Sequence, residues 1–159
     1  MKLASVKLHG QKTYGAVNER GFVDLGARFG SGCHDLVGLF ERDMLAQATQ
    51  LAQGPVDASL TDLIYLPVNP RMDMRMFALG WAYKAHQLEA GKEDLTHPNI
   101  FSKHPQSLVG HGQAIVCPRM SDRFDFEGEV AIVIGKGGRH IPVEQAIQHI
   151  GGYSIVMVG

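Results

Sequence analysis

Cysteine is scarce in this chain of 159 residues: Cys33 and Cys117 are the only two, and no C-x-x-C pair occurs. That leaves no disulfide framework to expect and favours free thiols in a reducing, cytoplasmic setting. A marked excess of charge of one sign is also missing. The formal net charge is −1, with no run of like charge, so neither a basic nucleic-acid surface nor an acidic tail is present. Long hydrophobic runs are missing too. Val130 to Ile134 is among the longest and is far too short to cross a bilayer. The opening "MKLASVKLHG" has no continuous apolar core, so a signal peptide is not expected. These absences argue against nucleic-acid and membrane partners.

What remains is an ordinary globular composition, 45% hydrophobic and 19% charged, sufficient for one core and a small second lobe. Nineteen glycines imply many turns and hence a β-rich, α+β fold. Residues 3–8, 12–17 and 21–25 read as strands, with a turn at "NERG" joining the last two. Leu36, Leu39, Phe40, Met44, Leu45, Ala48 and Leu51 recur at three-to-four spacing, which predicts one helix from Asp35 to Gln53, stopped by Gly54-Pro55. "LTDLIYLPVNP" reads as a strand closed by prolines, and a lobe boundary falls near Asn69 to Asp73. Beyond it, "RMFALG" reads as a strand, "WAYKAHQLEAG" as a short helix capped by Gly91, and "EDLTHPN" as a mobile loop. "NIFSKHP", "AIVCP" and "FDFEGEVAIVIG" are further strands. "PVEQAIQHI" reads as a helix stopped by Gly151-Gly152, and "YSIVMVG" as a last strand. That apolar ending suggests a domain continuing past Gly159, so the chain is expected to be truncated.

The stretch "FDFEGEVAIVIG", Phe124 to Gly135, poses a chemical question. Alternation along a strand puts Asp125, Glu127, Glu129, Ala131 and Val133 on one face. Glu127 and Glu129 then stand roughly 6.5–7 Å apart along the backbone, near enough for their tips to converge on one cation. A solvated face is the commoner origin of such a row. Against it, the same face turns apolar beyond Glu129, so the second half of the strand reads as buried on both sides. Two neighbouring acids also repel when partly desolvated unless a cation or proton intervenes. Hard divalent cations prefer such oxygen donors. "HQLE" places His86 and Glu89 three apart, on one side of a helix, where a carboxylate can orient an imidazole. An exposed helical pair has the same spacing.

From Met76 onward the chain resembles the fumarylacetoacetate hydrolase family. The likeness runs through "MFALGWAYKAHQLEAG", "HPNIFSKHPQSLVGHGQAIVCP" and "FDFEGEVAIVIGKGGRHIPVEQAIQHIGGYSI", in the family's order. Residues 1–70 resemble the small mixed α/β lobe that many members carry, and 71–159 the first part of the catalytic β-roll. The resemblance implies a divalent metal, Mg²⁺ or Mn²⁺ and in some members Ca²⁺, held by Glu127 and Glu129. It implies a third carboxylate where Val158 stands here. It makes His86 and Glu89 a water-activating pair on a lid helix, and Tyr83 and Lys103 candidate substrate contacts. Trp81 and Ala82 replace an Asn-Tyr pair frequent at that turn, and His104 separates Lys103 from Pro105.

The function so implied is hydrolytic C–C cleavage of small 2-oxo or diketo acids in aromatic catabolism, by way of a metal-stabilised enolate. Hydration, isomerisation or decarboxylation on the same enolate stand as alternatives. A homodimer is implied for the full-length protein. The alternative of another class is a truncated, non-catalytic fragment or binding module. Of the remaining histidines, His97, His104, His111, His140 and His149 have no tight ligand spacing and read as loop or surface residues.

Overall fold

The structure, a computed structural model, describes residues 1–92 and 95–159. The fold is α+β and mostly β, and the chain divides into two compact units. One comprises Met1–Asn69 with Val109–Gly159, the other Pro70–Leu108.

The first unit opens with strands β1 (Lys2–Leu8), β2 (Gln11–Asn18) and β3 (Gly21–Asp24). Helices α1 (Leu25–Phe29), α2 (Leu36–Glu41) and α3 (Leu45–Leu51) follow, then the two-residue strand β4 (Ile64–Tyr65). The sheet is antiparallel in the order β3-β2-β1-β4. Its register puts Tyr14, Ala16 and Val23 on one face, where they form a core with Leu25, Leu36, Leu39 and Ala48. Val6, Leu8 and Phe22 gather with Leu63 on the other face. Gly15 is required between the two. A Cβ there would meet the Val23 carbonyl oxygen at 2.1 Å and the Phe22 ring at 2.6 Å.

The expected helix 35–53 is two helices. Asp35 caps α2 by accepting from the Gly38 N–H at 2.9 Å. The chain then turns left-handed at Asp43 (φ 54), and the Met44 N–H reaches back to the Leu39 carbonyl at 2.8 Å. This is a helix-ending turn that Asp tolerates better than most residues. The three-to-four spacing survives the break because both helices feed one buried cluster, α2 through Leu36 and Leu39 and α3 through Ala48. Helix α1 falls where the sequence suggested a strand end. Asp24 starts it by accepting from the Ala27 N–H at 2.9 Å and the Thr13 hydroxyl at 2.6 Å. The strand expected over Leu60–Pro70 shrinks to β4 behind a 3-10 turn, because β1 offers it two partners, Val6 and Lys7.

The second unit carries β5 (Met76–Gly80), α4 (Lys84–Glu89) and β6 (Asn99–Lys103), with β5 and β6 paired antiparallel from Met76↔Lys103 to Gly80↔Asn99. The loop expected over Glu93–Asn99 begins on Glu93 and Asp94, which lie outside the described residues.

The chain returns to the first unit for β7 (Glu127–Ile134) and β8 (Ile150–Val158), an antiparallel pair with a bulge between Val133 and Ile134. Gly135 and Gly151 meet at its base against the Phe40 ring. A Cβ on either would come within 2.9 Å of that ring. "AIVCP" forms no strand, its Ile115 and Val116 being exposed and without a ladder partner. "PVEQAIQHI" is a 3-10 segment, Val143–His149. Gly151-Gly152 continues β8 instead of ending an element. Among the described residues no helix is long and apolar enough to cross a membrane.

Candidate metal centre

The carboxylate strand is built as alternation requires. Glu127, Glu129, Ala131 and Val133 share one face of β7, and the ladder sets Val158, Val156, Ser154 and Gly152 opposite them on β8. Glu129 is half-buried and Glu127 exposed. The face therefore runs from two acids at its open end into an apolar floor. The other face departs from the expected burial on both sides. Val130, Ile132 and Ile134 are exposed, as are Tyr153, Ile155 and Met157 beside them. Asp125 lies before the strand and accepts from the Phe126 N–H at 2.8 Å.

Directly opposite Glu127 in the ladder is Val158. Side chains so paired have Cβ atoms about 4.5–5.5 Å apart, so the position best placed to add a donor to the two glutamates carries an isopropyl group. Among the described residues no three His, Cys, Asp or Glu side chains gather where they could hold a metal ion. The two glutamates still suit a hard divalent cation of the Mg²⁺ kind, which keeps several waters and binds through one or two carboxylates plus substrate oxygens.

In the second unit, α4 carries the other candidates. Tyr83 is the residue before its first turn and accepts the Gln87 N–H at 3.1 Å on its carbonyl. His86 is half-buried and Glu89 exposed, three apart as the sequence implied. Lys103 closes β6, paired with Met76 at the opposite end of the ribbon from the Gly80 turn that leads into α4. There it joins Arg75, Met74, Phe77 and His104 around an open hollow of about 300 Å³.

The sequence marks Trp81 and Ala82 as a departure at this turn but assigns them no role. Trp81, the single tryptophan, sits in the left-handed region (φ 53). Its carbonyl accepts from the Gln87 side chain at 2.7 Å, and the Lys92 ammonium lies 4.9 Å from its ring centre. A tryptophan directly after the glycine that ends a strand was the available signal.

A family model, fumarylacetoacetate (FAA) hydrolase C-terminal, matches residues 75–157, just over half of the chain. The chain belongs to the fumarylacetoacetate hydrolase family. Among curated relatives, the oxaloacetate tautomerase YisK of Bacillus subtilis is 34% identical over 125 residues, a match covering 70% of this chain and 41% of the relative. A mitochondrial oxaloacetate tautomerase of Homo sapiens is 35% identical over 100 residues, covering 57% of this chain and 32% of the relative. A crystal structure described as a putative HpcE protein from Mycobacterium smegmatis aligns with a TM-score of 0.80 at 25% identity. It covers 98% of this chain and 54% of that one. The chain thus spans about half the length of this family structure and less of the two tautomerases.

Proposed function

We propose that this chain belongs to a divalent-metal-dependent enzyme that works on small 2-oxo acids through an enol or enolate. The observation that carries the proposal is the pair Glu127 and Glu129 on one half-covered strand face. A cation held there would supply Lewis-acid stabilisation of the negative charge that develops on an enolate oxygen. The two glutamates would balance the cation's charge and fix the side from which substrate approaches. His86 would move the proton, taking it from the carbon beside the keto group or from a water molecule, with Glu89 favouring the charged imidazole that results. The Tyr83 hydroxyl and the Lys103 ammonium would recognise substrate oxygens.

Two reactions fit these roles. Hydrolytic C–C cleavage needs His86 to activate water. Keto–enol interconversion needs it only to move a proton between carbon and oxygen, and the names of the two tautomerase relatives favour this second reading. The same proposal has the whole protein as a cytoplasmic homodimer without nucleic-acid or membrane partners; the net charge of −1 supports the absence of a nucleic-acid partner.

The test is a paired assay of the protein with Mg²⁺ or Mn²⁺. One arm follows the ultraviolet absorbance of enol-oxaloacetate, the other the cleavage of an acylpyruvate. Metal-dependent turnover in either arm, reduced about a hundredfold or more by Glu127→Gln and by His86→Ala, is expected. Turnover that is indifferent to chelator or to both substitutions contradicts the proposal.

A further inference from the structure

The turn between β5 and α4 contains a closed ring of three residues. The Trp81 carbonyl accepts from the Gln87 side-chain amide at 2.7 Å. The Gln87 carbonyl accepts from the Lys92 N–H at 2.9 Å. The Lys92 ammonium returns to the Trp81 indole, 4.9 Å from its centre. Each link has a local cause. Trp81 takes a left-handed conformation (φ 53), rare for a bulky side chain, and the carbonyl that follows this bend receives Gln87. Gly91 (φ 60) ends α4 in the same region, which folds the chain back and hands the next N–H to Gln87. That reversal brings the Lys92 stem alongside the indole, where a cation meets the electron-rich ring face.

We propose that Trp81 is the positioning residue of α4: the ring Trp81–Gln87–Lys92 latches the six-residue helix at its middle and just past its end, and so sets where His86 and Glu89 stand. A helix this short is marginal alone, since it fixes many dihedrals for few hydrogen bonds. His86 is the immediate neighbour of the latched Gln87, and Glu89 lies between Gln87 and Lys92. The consequence for catalysis rests on the reading of His86 and Glu89 given above. The latch itself does not.

The sole tryptophan makes the latch observable in this chain. The experiment is amide hydrogen exchange at Ala90, Gly91 and Lys92 together with Trp81 emission, in wild type, Lys92→Met, Lys92→Arg and Gln87→Met. Lys92→Met keeps the stem and removes the charge, whereas Lys92→Arg keeps the cation over the ring. Exchange about two- to fivefold faster in Lys92→Met, with altered Trp81 emission and wild-type behaviour in Lys92→Arg, is expected. Gln87→Met should act in the same direction as Lys92→Met. Unchanged exchange in Lys92→Met, or faster exchange in Lys92→Arg equal to that of Lys92→Met, overturns the latch. The His86 ring signal in NMR reads the positioning role: it should shift in Lys92→Met and stay in place in Lys92→Arg, and an unmoved signal in Lys92→Met overturns that role. Should His86→Ala leave turnover intact while the exchange pattern holds, the catalytic reading falls and the latch stands.

Discussion

At the scale of single residues, the site turns on Val158. The ladder puts it opposite Glu127, on the face that also carries Glu129. A carboxylate there would face Glu127 across the strand pair at about 5 Å and Glu129 on the diagonal at about 7–8 Å. Val158→Asp is therefore expected to tighten Mn²⁺ binding about tenfold or more, because hard-cation affinity rises with the number of charged oxygen donors. Titration of the variant against wild type checks this, and equal affinities would show that the position does not face the cation. That Glu127 and Glu129 share a face was legible from alternation alone, since a strand offers only two faces; the cation between them was an expectation from the family resemblance. The pairing of Val158 with Glu127 was not legible from any one stretch, because register belongs to two strands and these residues lie 31 apart in sequence; the family resemblance alone marked Val158 as the place of a third carboxylate. The Trp81–Lys92 contact was hidden for a similar reason, as it depends on two left-handed residues whose conformations reverse the chain.

At the scale of elements, what a helix cap or a loop clamp contributes decides where segments begin and end. Arg28, from α1, donates to both carboxylate oxygens of Asp57 and to the carbonyls of Asp24 and Pro55. The Asp24 N–H also donates to Asp57, at 2.7 Å. These bonds tie the start of α1 to the segment that runs toward β4. The Arg28 guanidinium holds the Asp57 carboxyl below its ordinary range. A group whose folded value is depressed adds stability above its unfolded value, near 4, and that stability is lost as the pH falls through the folded value. Asp57→Asn should thus lower stability at neutral pH by about 1 kcal/mol or less, a small effect because the pair is partly solvated. The difference between variant and wild type should narrow below about pH 4. Urea titrations at pH 7 and pH 3 measure it, and a gap that widens on acidification would contradict the clamp.

The same scale shows where periodicity succeeds and where it stops. It found β1 to β3, β5, α4, β6 and β7, each an element whose side-chain pattern is set by its own neighbours in sequence. It merged α2 with α3, since an apolar stripe does not record a left-handed break at Asp43. It made a strand of "AIVCP", whose residues favour extended backbone but meet no partner. Gly151-Gly152 looked like a stop and is instead a close approach, two strands meeting at Gly135 and Gly151 with the Phe40 ring against them.

At the scale of the whole molecule, the sheet of β1 to β4 has a closed core on both faces, whereas the β7–β8 pair is covered on its acid-bearing face more than on its other one. The row Val130, Ile132 and Ile134 beside Tyr153, Ile155 and Met157 is apolar and exposed. The burial expected on both sides of β7 therefore fails in this chain, though the hydrophobic sequence that suggested it is real. Family membership was legible because the ordered segments from Met76 onward are more specific than any one motif, and the family model covers the same stretch. Which reaction the proposed site would serve was not legible, because hydrolysis and tautomerisation would ask for the same carboxylates and the same base.

The central claim is that Glu127 and Glu129 bind a divalent cation, and calorimetric titration of Mn²⁺ into this chain tests it most directly. The account predicts saturable binding of about one ion per chain with a dissociation constant of about 1 mM or tighter, lost in Glu127→Gln. No saturable heat well above that concentration, or binding that survives Glu127→Gln unchanged, would contradict it.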